Sequence, residues 1–359
     1  MSSALNTSAS QVVLSGFLSG QLYLWLMGLV LVLTILVASF ATGANIVTII
    51  VYNRLGYTDT TSISLTALAV SDMGVAATTY ICVLAYFLPM IPNAPFTYAM
   101  FLSTGPAPHT LFSRVSALIT TYVSIERYLC VLIPMKVKSV FTPRRTVVAM
   151  TIIFVAIFTL YPIVFLRFPV GWISIPQLNI SLIAVIPVTD YDIITLYNIA
   201  GNIASVYLPL LIFPTMFFTT VGLALTLKKS KKWRDANAAG TTRGSSANGV
   251  RSTAQDSAAA ATSSKESRAV KMVILITTVF ILSLLPSCFH LIAQILFAEF
   301  SPGGRFTNLY FLVNMFVLTA DCANCSANVI IYYKMSTRFR LATQDLFMRG
   351  VRQKRTHNA

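Results

Sequence analysis

The chemistry in this chain is carried by a few ionisable side chains set inside long apolar stretches: Asp72, His109, Arg114, Glu126, Arg127, His290 and Asp321. Charge at such depth is expensive, so each group needs an opposite charge, a bound cation or a proton to pass. Covalent chemistry is not indicated. No nucleophile stands with a base in the pattern that acyl or group transfer requires, so no enzyme activity is expected. The three histidines, His109, His290 and His357, fall on both membrane faces of the arrangement below and build no metal cluster.

The densest pattern ends at Ser124-Ile125-Glu126-Arg127-Tyr128. Helical steps of three and four back from Arg127 meet Ser124, Thr120, Ser116, Ser113 and His109, all within about 60° on a helical wheel. A segment that is apolar except for one polar stripe turns the stripe inward and the rest to lipid. The stripe predicts a bundle interior reaching from His109 to Arg127, about five turns or roughly 27 Å. Arg114 lies about 140° away, facing the fourth or fifth helix or lipid; snorkelling, pairing and ligand binding stay open for it.

The elements that must position these groups follow from composition. The chain has 359 residues, 56% hydrophobic and 10% charged, with a mean hydropathy of +0.74, beyond what a soluble domain of this length tolerates. An integral membrane protein is expected. The net charge of +15 would suit nucleic acid if it covered one soluble face. It does not: 23 of the 26 Lys and Arg fall on one side of the expected topology, with Arg167 and Arg305 opposite and Arg114 inside. The basic side is then cytoplasmic, and the cluster Lys228–Arg234 suits anionic lipid or a protein partner better than nucleic acid.

Residues 1–21 form a short outside N-terminus with a glycosylation sequon at Asn6 and no removable signal peptide. Seven spans follow, at about 22–52, 61–89, from about 107, 146–165, 196–227, 266–298 and 307–333. Residues 166–194 form the longest outer loop, with a second sequon at Asn179, and residues 228–265 include an Ala/Ser/Thr/Gly-rich run expected to be disordered. Residues 334–359 are a cytoplasmic tail, of which 336–347 reads as an interfacial amphipathic helix. The predicted fold is an all-α membrane protein, a seven-transmembrane helix bundle with a short interfacial eighth helix. The five cysteines lie in apolar helices, where no outer disulfide forms.

Asn45, Leu68-Ala69-Val70-Ser71-Asp72, Glu126-Arg127-Tyr128, Pro286, Asn328 with Tyr332, and Phe339-Arg340 occur in an order and spacing that resembles rhodopsin-class G-protein-coupled receptors over nearly the whole chain. Departures are visible as well. Leu284 and Val329 replace a family tryptophan and proline, the family's outer disulfide has neither cysteine, and no palmitoylation site follows Cys325. In these respects the chain looks more like divergent invertebrate chemosensory or peptide receptors. No lysine lies in the seventh span, so it is no opsin.

The resemblance implies a plasma-membrane receptor that transmits an extracellular small-molecule or peptide signal to a heterotrimeric G protein. Its switch residues would be Glu126, Arg127, Tyr128, Glu266, Phe280, Pro286, Asn328 and Tyr332. In the resting state Arg127 pairs with Glu126 and with Glu266, 20 residues before Pro286, and release lets the sixth helix swing; solvated charges at helix ends are the plainer account. Asp72, Ser116, Asn324 and Asn328 offer oxygens to an allosteric sodium ion, or else share a water network or serve only structure, with Asp72 protonated. His109, Ser113, His290, Gln294 and Asp321 are candidate ligand-pocket residues. With His109 where amine receptors carry an acid, a monoamine ligand is not expected. A transporter or proton-translocating protein using Asp72 and Asp321 is the competing class, but no internal repeat supports it.

Overall fold

The structure, a computed structural model, describes residues 17–357 apart from 89–90, 92–94, 96–104, 161, 164–165, 167–168, 177–179, 187, 242–252 and 302–303. The helices are α1 Gly20–Leu55, α2 Thr60–Phe87, α3 Pro106–Leu132, α4 Pro134–Val140, α5 Pro143–Phe158, α6 Tyr191–Asn202, α7 Leu208–Thr241, α8 Thr253–Leu296, α9 Thr307–Met335 and α10 Thr337–His357. A π-turn, Ile203–Tyr207, joins α6 to α7. Six helical segments are long and apolar enough to cross a membrane: α1, α2, α3, Leu208–Lys229 of α7, Val270–Leu296 of α8, and α9. The fourth predicted span is represented by α5, whose 16 residues rise only about 24 Å.

Local chemistry sets where the helices start. The Asp59 side chain accepts from the Ser62 N–H at 2.6 Å, and Asp190 from the N–H groups of Asp192 and Ile193 at 2.9 and 3.1 Å. Such caps satisfy donors that a first turn leaves orphaned. Pro106, Pro134 and Pro143 each open a helix, where a missing N–H costs nothing. Pro134 also ends α3, because the residue before a proline avoids the α region: Ile133 sits at φ −136, ψ 62.

Two segments differ from expectation. Part of the outer loop is an antiparallel hairpin, β1 Val170–Ile175 paired with β2 Ile180–Val185 in the register Val170↔Val185 to Ile175↔Ile180. Both runs are rich in Ile and Val, which a pleated surface accommodates well. The run expected to be disordered is entered from both sides by α7, which continues to Thr241, and by α8, which begins at Thr253; their alanines are the strongest helix formers.

The core lies where small residues let helices approach. Ala38, Ala41 and Ala44 of α1 are buried, and the first two pack with Cys322 and Cys325 of α9. Polar clasps tie the same pair: Thr34 to Thr319 at 2.5 Å, and Asn45 Nδ2 to the Cys325 carbonyl at 3.4 Å. Small contacts and interhelical hydrogen bonds are what hold helices together once lipid removes the hydrophobic drive. At the outer end Tyr23, Tyr86, Phe300, Tyr310 and Phe311 form an aromatic lid. Large apolar side chains such as Trp25, Leu36, Phe218 and Ile295 point outward, as a hydrocarbon solvent requires.

Candidate functional site

Three polar layers are stacked along α3. The inner layer is centred on Arg127, whose Nη2 donates to Glu126 Oε1 at 3.1 Å and to the Thr61 hydroxyl. Thr60 donates to the same Glu126 oxygen at 2.5 Å. Glu126 is 2% exposed, so this pair is largely out of water, where an ion pair needs its remaining atoms satisfied. They are only partly so: Glu126 Oε2 and Arg127 Nε are buried with no hydrogen-bond partner. Glu266 lies on α8, its side chain outside the described residues. Thr60 and Thr61 were not among the expected site residues. They follow the Asp59 cap and look in sequence like ordinary first-turn residues.

Around that layer the sixth- and seventh-span residues take defined places. Tyr128 lies against Gly222 of α7, where any Cβ would strike its ring. Phe280 and Leu284 of α8 are buried with Ala117, Ile212 and Met216, and Pro286 sits inside α8. Tyr332 packs edge-on against Tyr52 and Phe339, at ring separations of 6.2 and 5.7 Å, so α1, α9 and α10 meet at one aromatic cluster. Its hydroxyl is buried without a partner.

The middle layer holds Asp72. Ser116 donates to Oδ1 and Asn328 Nδ2 to Oδ2, each at 2.7 Å. Asn324, one turn before Asn328, is buried, and its Oδ1 has no hydrogen-bond partner. Asn328 thus turns its amide nitrogen to Asp72, and the Asn324 Oδ1 is the unspent amide oxygen of this layer. Among the described residues no three His, Cys, Asp or Glu side chains converge as a transition-metal site would need.

The outer layer joins α2, α3 and α9. His109 Nε2 meets Asp321 Oδ2 at 3.1 Å, Ser113 donates to the same oxygen at 3.3 Å, and Thr79 links His109 Nδ1 at 3.2 Å to Cys322 Sγ at 3.1 Å. His109, Ser113 and Asp321 are thus brought together. The other two pocket candidates are elsewhere: His290 stacks against Phe300 and Tyr310 in the aromatic lid, and Gln294 is exposed. Arg114 turns to the fifth predicted span, its Nε donating to the Ala204 carbonyl at 2.9 Å. The sequon residues Asn6 and Asn179 lie outside the described residues.

Helices lined by three internal polar layers, with an Arg127 clasp at one end of α3 and a His109–Asp321 pair toward the other, describe a transmembrane receptor architecture. The chain matches the family model described as 7 transmembrane receptor (rhodopsin family) over residues 43–332, well over half of its length, and it belongs to that family. It is accordingly a multi-pass membrane receptor and not an enzyme, and membership does not favour the transporter alternative. A search among curated proteins found no match.

Proposed function

We propose that the protein sits in the plasma membrane, N-terminus outside and C-terminus in the cytoplasm, and passes an extracellular small-molecule or peptide signal to heterotrimeric G proteins. In this arrangement α5 belongs to the fourth of seven crossings, and α10 lies along the inner membrane surface. A divergent chemosensory or peptide ligand suits the departures from the family pattern noted above.

The carrying observation is the Arg127 clasp. The guanidinium is held between Glu126 and Thr61 with its Nε unspent, so it has both a resting arrangement to leave and capacity for a new acceptor. A signal at the outer layer biases two packings of one bundle. Release of Arg127 from Glu126, Thr61 and Glu266 frees the inner end of α8 to swing about Pro286 and open a groove for a G-protein helix. Sodium held by Asp72, Ser116, Asn324 and Asn328 would tie α2, α3 and α9 together and favour the resting packing.

The test is nucleotide exchange on purified heterotrimers by the receptor in lipid discs. Glu266→Ala is expected to raise basal exchange at equal receptor amount; unchanged exchange removes Glu266 from the clasp, and no exchange on any heterotrimer removes the coupling itself.

A further inference from the structure

Among the described residues, Arg114 is a cation within the bundle whose charge no acid answers at contact distance. Its Nε is spent on the Ala204 carbonyl at 2.9 Å. That carbonyl belongs to the π-turn Ile203–Tyr207, a widened turn of the kind that recurs at functional sites. Among the described residues no carboxylate lies within ion-pair distance of the guanidinium. Asp321, the acid whose field reaches it, already accepts from His109 and Ser113. The Nε bond turns the half-buried guanidinium toward the junction of α6 and α7. A charge kept at this depth calls for an anion.

We propose that Arg114 anchors a carboxylate-bearing ligand through a forked pair of hydrogen bonds from Nη1 and Nη2. The inference rests on the receptor function proposed above and names its ligand class. With one edge pinned to Ala204, the guanidinium presents its planar end, which matches the two oxygens of a carboxylate as an ammonium does not. Leu118, one turn along α3, and Leu208, one turn past Ala204, are partly buried against Ala117, Ile212, Met216, Phe280 and Leu284, so the surroundings one turn from the guanidinium are apolar. Asp321 already holds two hydrogen-bond donors, while among the described residues the end of the Arg114 guanidinium holds no acceptor, so the open hydrogen-bonding capacity here suits an acid better than an amine.

The test measures thermal unfolding of the full-length receptor in lipid discs with hexanoate, decanoate, benzoate and phenylacetate, each beside its neutral primary amide. At least one acid should raise the midpoint while its amide does not. The rise should vanish in Arg114→Gln, and in Arg114→Lys the acid should bind about tenfold more weakly, because the fork is lost while the charge remains. No stabilisation by any acid, stabilisation that survives Arg114→Gln, or undiminished affinity in Arg114→Lys would overturn the proposal. Nucleotide exchange separates the two claims. Arg114-dependent acid binding without exchange on any heterotrimer leaves the ligand site standing and defeats the coupling; exchange driven by another ligand class and indifferent to Arg114→Gln does the reverse.

Discussion

Arg127 is restrained by partners of modest strength that share one small volume. Interhelical hydrogen bonds in membranes are worth about 0.6 kcal/mol on average and up to about 1.7, so a single hydroxyl shifts the balance without collapsing the fold. Thr61→Ala is therefore expected to raise basal nucleotide exchange by about threefold to tenfold, measured at matched surface expression; a fall would show that Thr61 supports the signalling arrangement instead. Asp72→Asn keeps the shape of its site and removes the charge. It should abolish any sodium dependence of agonist affinity, and an affinity indifferent to sodium in the unaltered receptor would leave the oxygens of that layer to water. At this scale the wheel put Ser116 on the inward stripe of α3, and in the structure it donates to Asp72. Thr60 and Thr61 were not legible, because a hydroxyl in a first turn has the same appearance whether it caps a helix or meets another one.

Among the elements, close approach is set by what is missing. Gly74 of α2 lies under the Phe112 ring of α3, where a Cβ would overlap the ring itself. Phe112 cannot easily yield, since it packs edge-on against Phe158 of α5 at 5.1 Å. Gly74→Ala should cost about 1–3 kcal/mol through overpacking and lower the thermal midpoint of the purified receptor, with Phe112→Ala restoring part of the loss in the double variant. If Gly74→Ala is as stable as the parent, α2 and α3 have slack at this level. Helix existence was readable from apolar length, but helix starts were less so: the fifth span was expected from about 196, whereas α6 begins at Tyr191 behind the Asp190 cap. The β1–β2 hairpin was not readable: its short Ile- and Val-rich runs suit strand or buried helix, and pairing partners decide.

For the whole molecule, the distribution of charge is the governing fact. Bases gathered on one side of an apolar body resist transfer across the bilayer, and the proposed orientation, with that side in the cytoplasm, follows this rule. Epitope tags on intact cells should be reached by antibody at the N-terminus and, only after permeabilisation, at the C-terminus. Both tags on one side would require an even number of crossings and would remove α5 from the set of spans. Under the proposed orientation the Arg127 layer would face the cytoplasm and the His109–Asp321 layer the outside, the order the proposed function needs.

By itself the sequence determined the membrane habitat and the polar face of α3 and led to the proposed orientation, because hydropathy, charge placement and a helical period are properties of a single chain segment. Tertiary structure alone decided that Arg127 leans on the start of α2, that Asp321 is engaged by His109 and Ser113, and that Arg114 reaches a π-turn carbonyl instead of an acid. Each of these depends on the rotation and depth of one helix against another. No periodicity within a single helix records that choice.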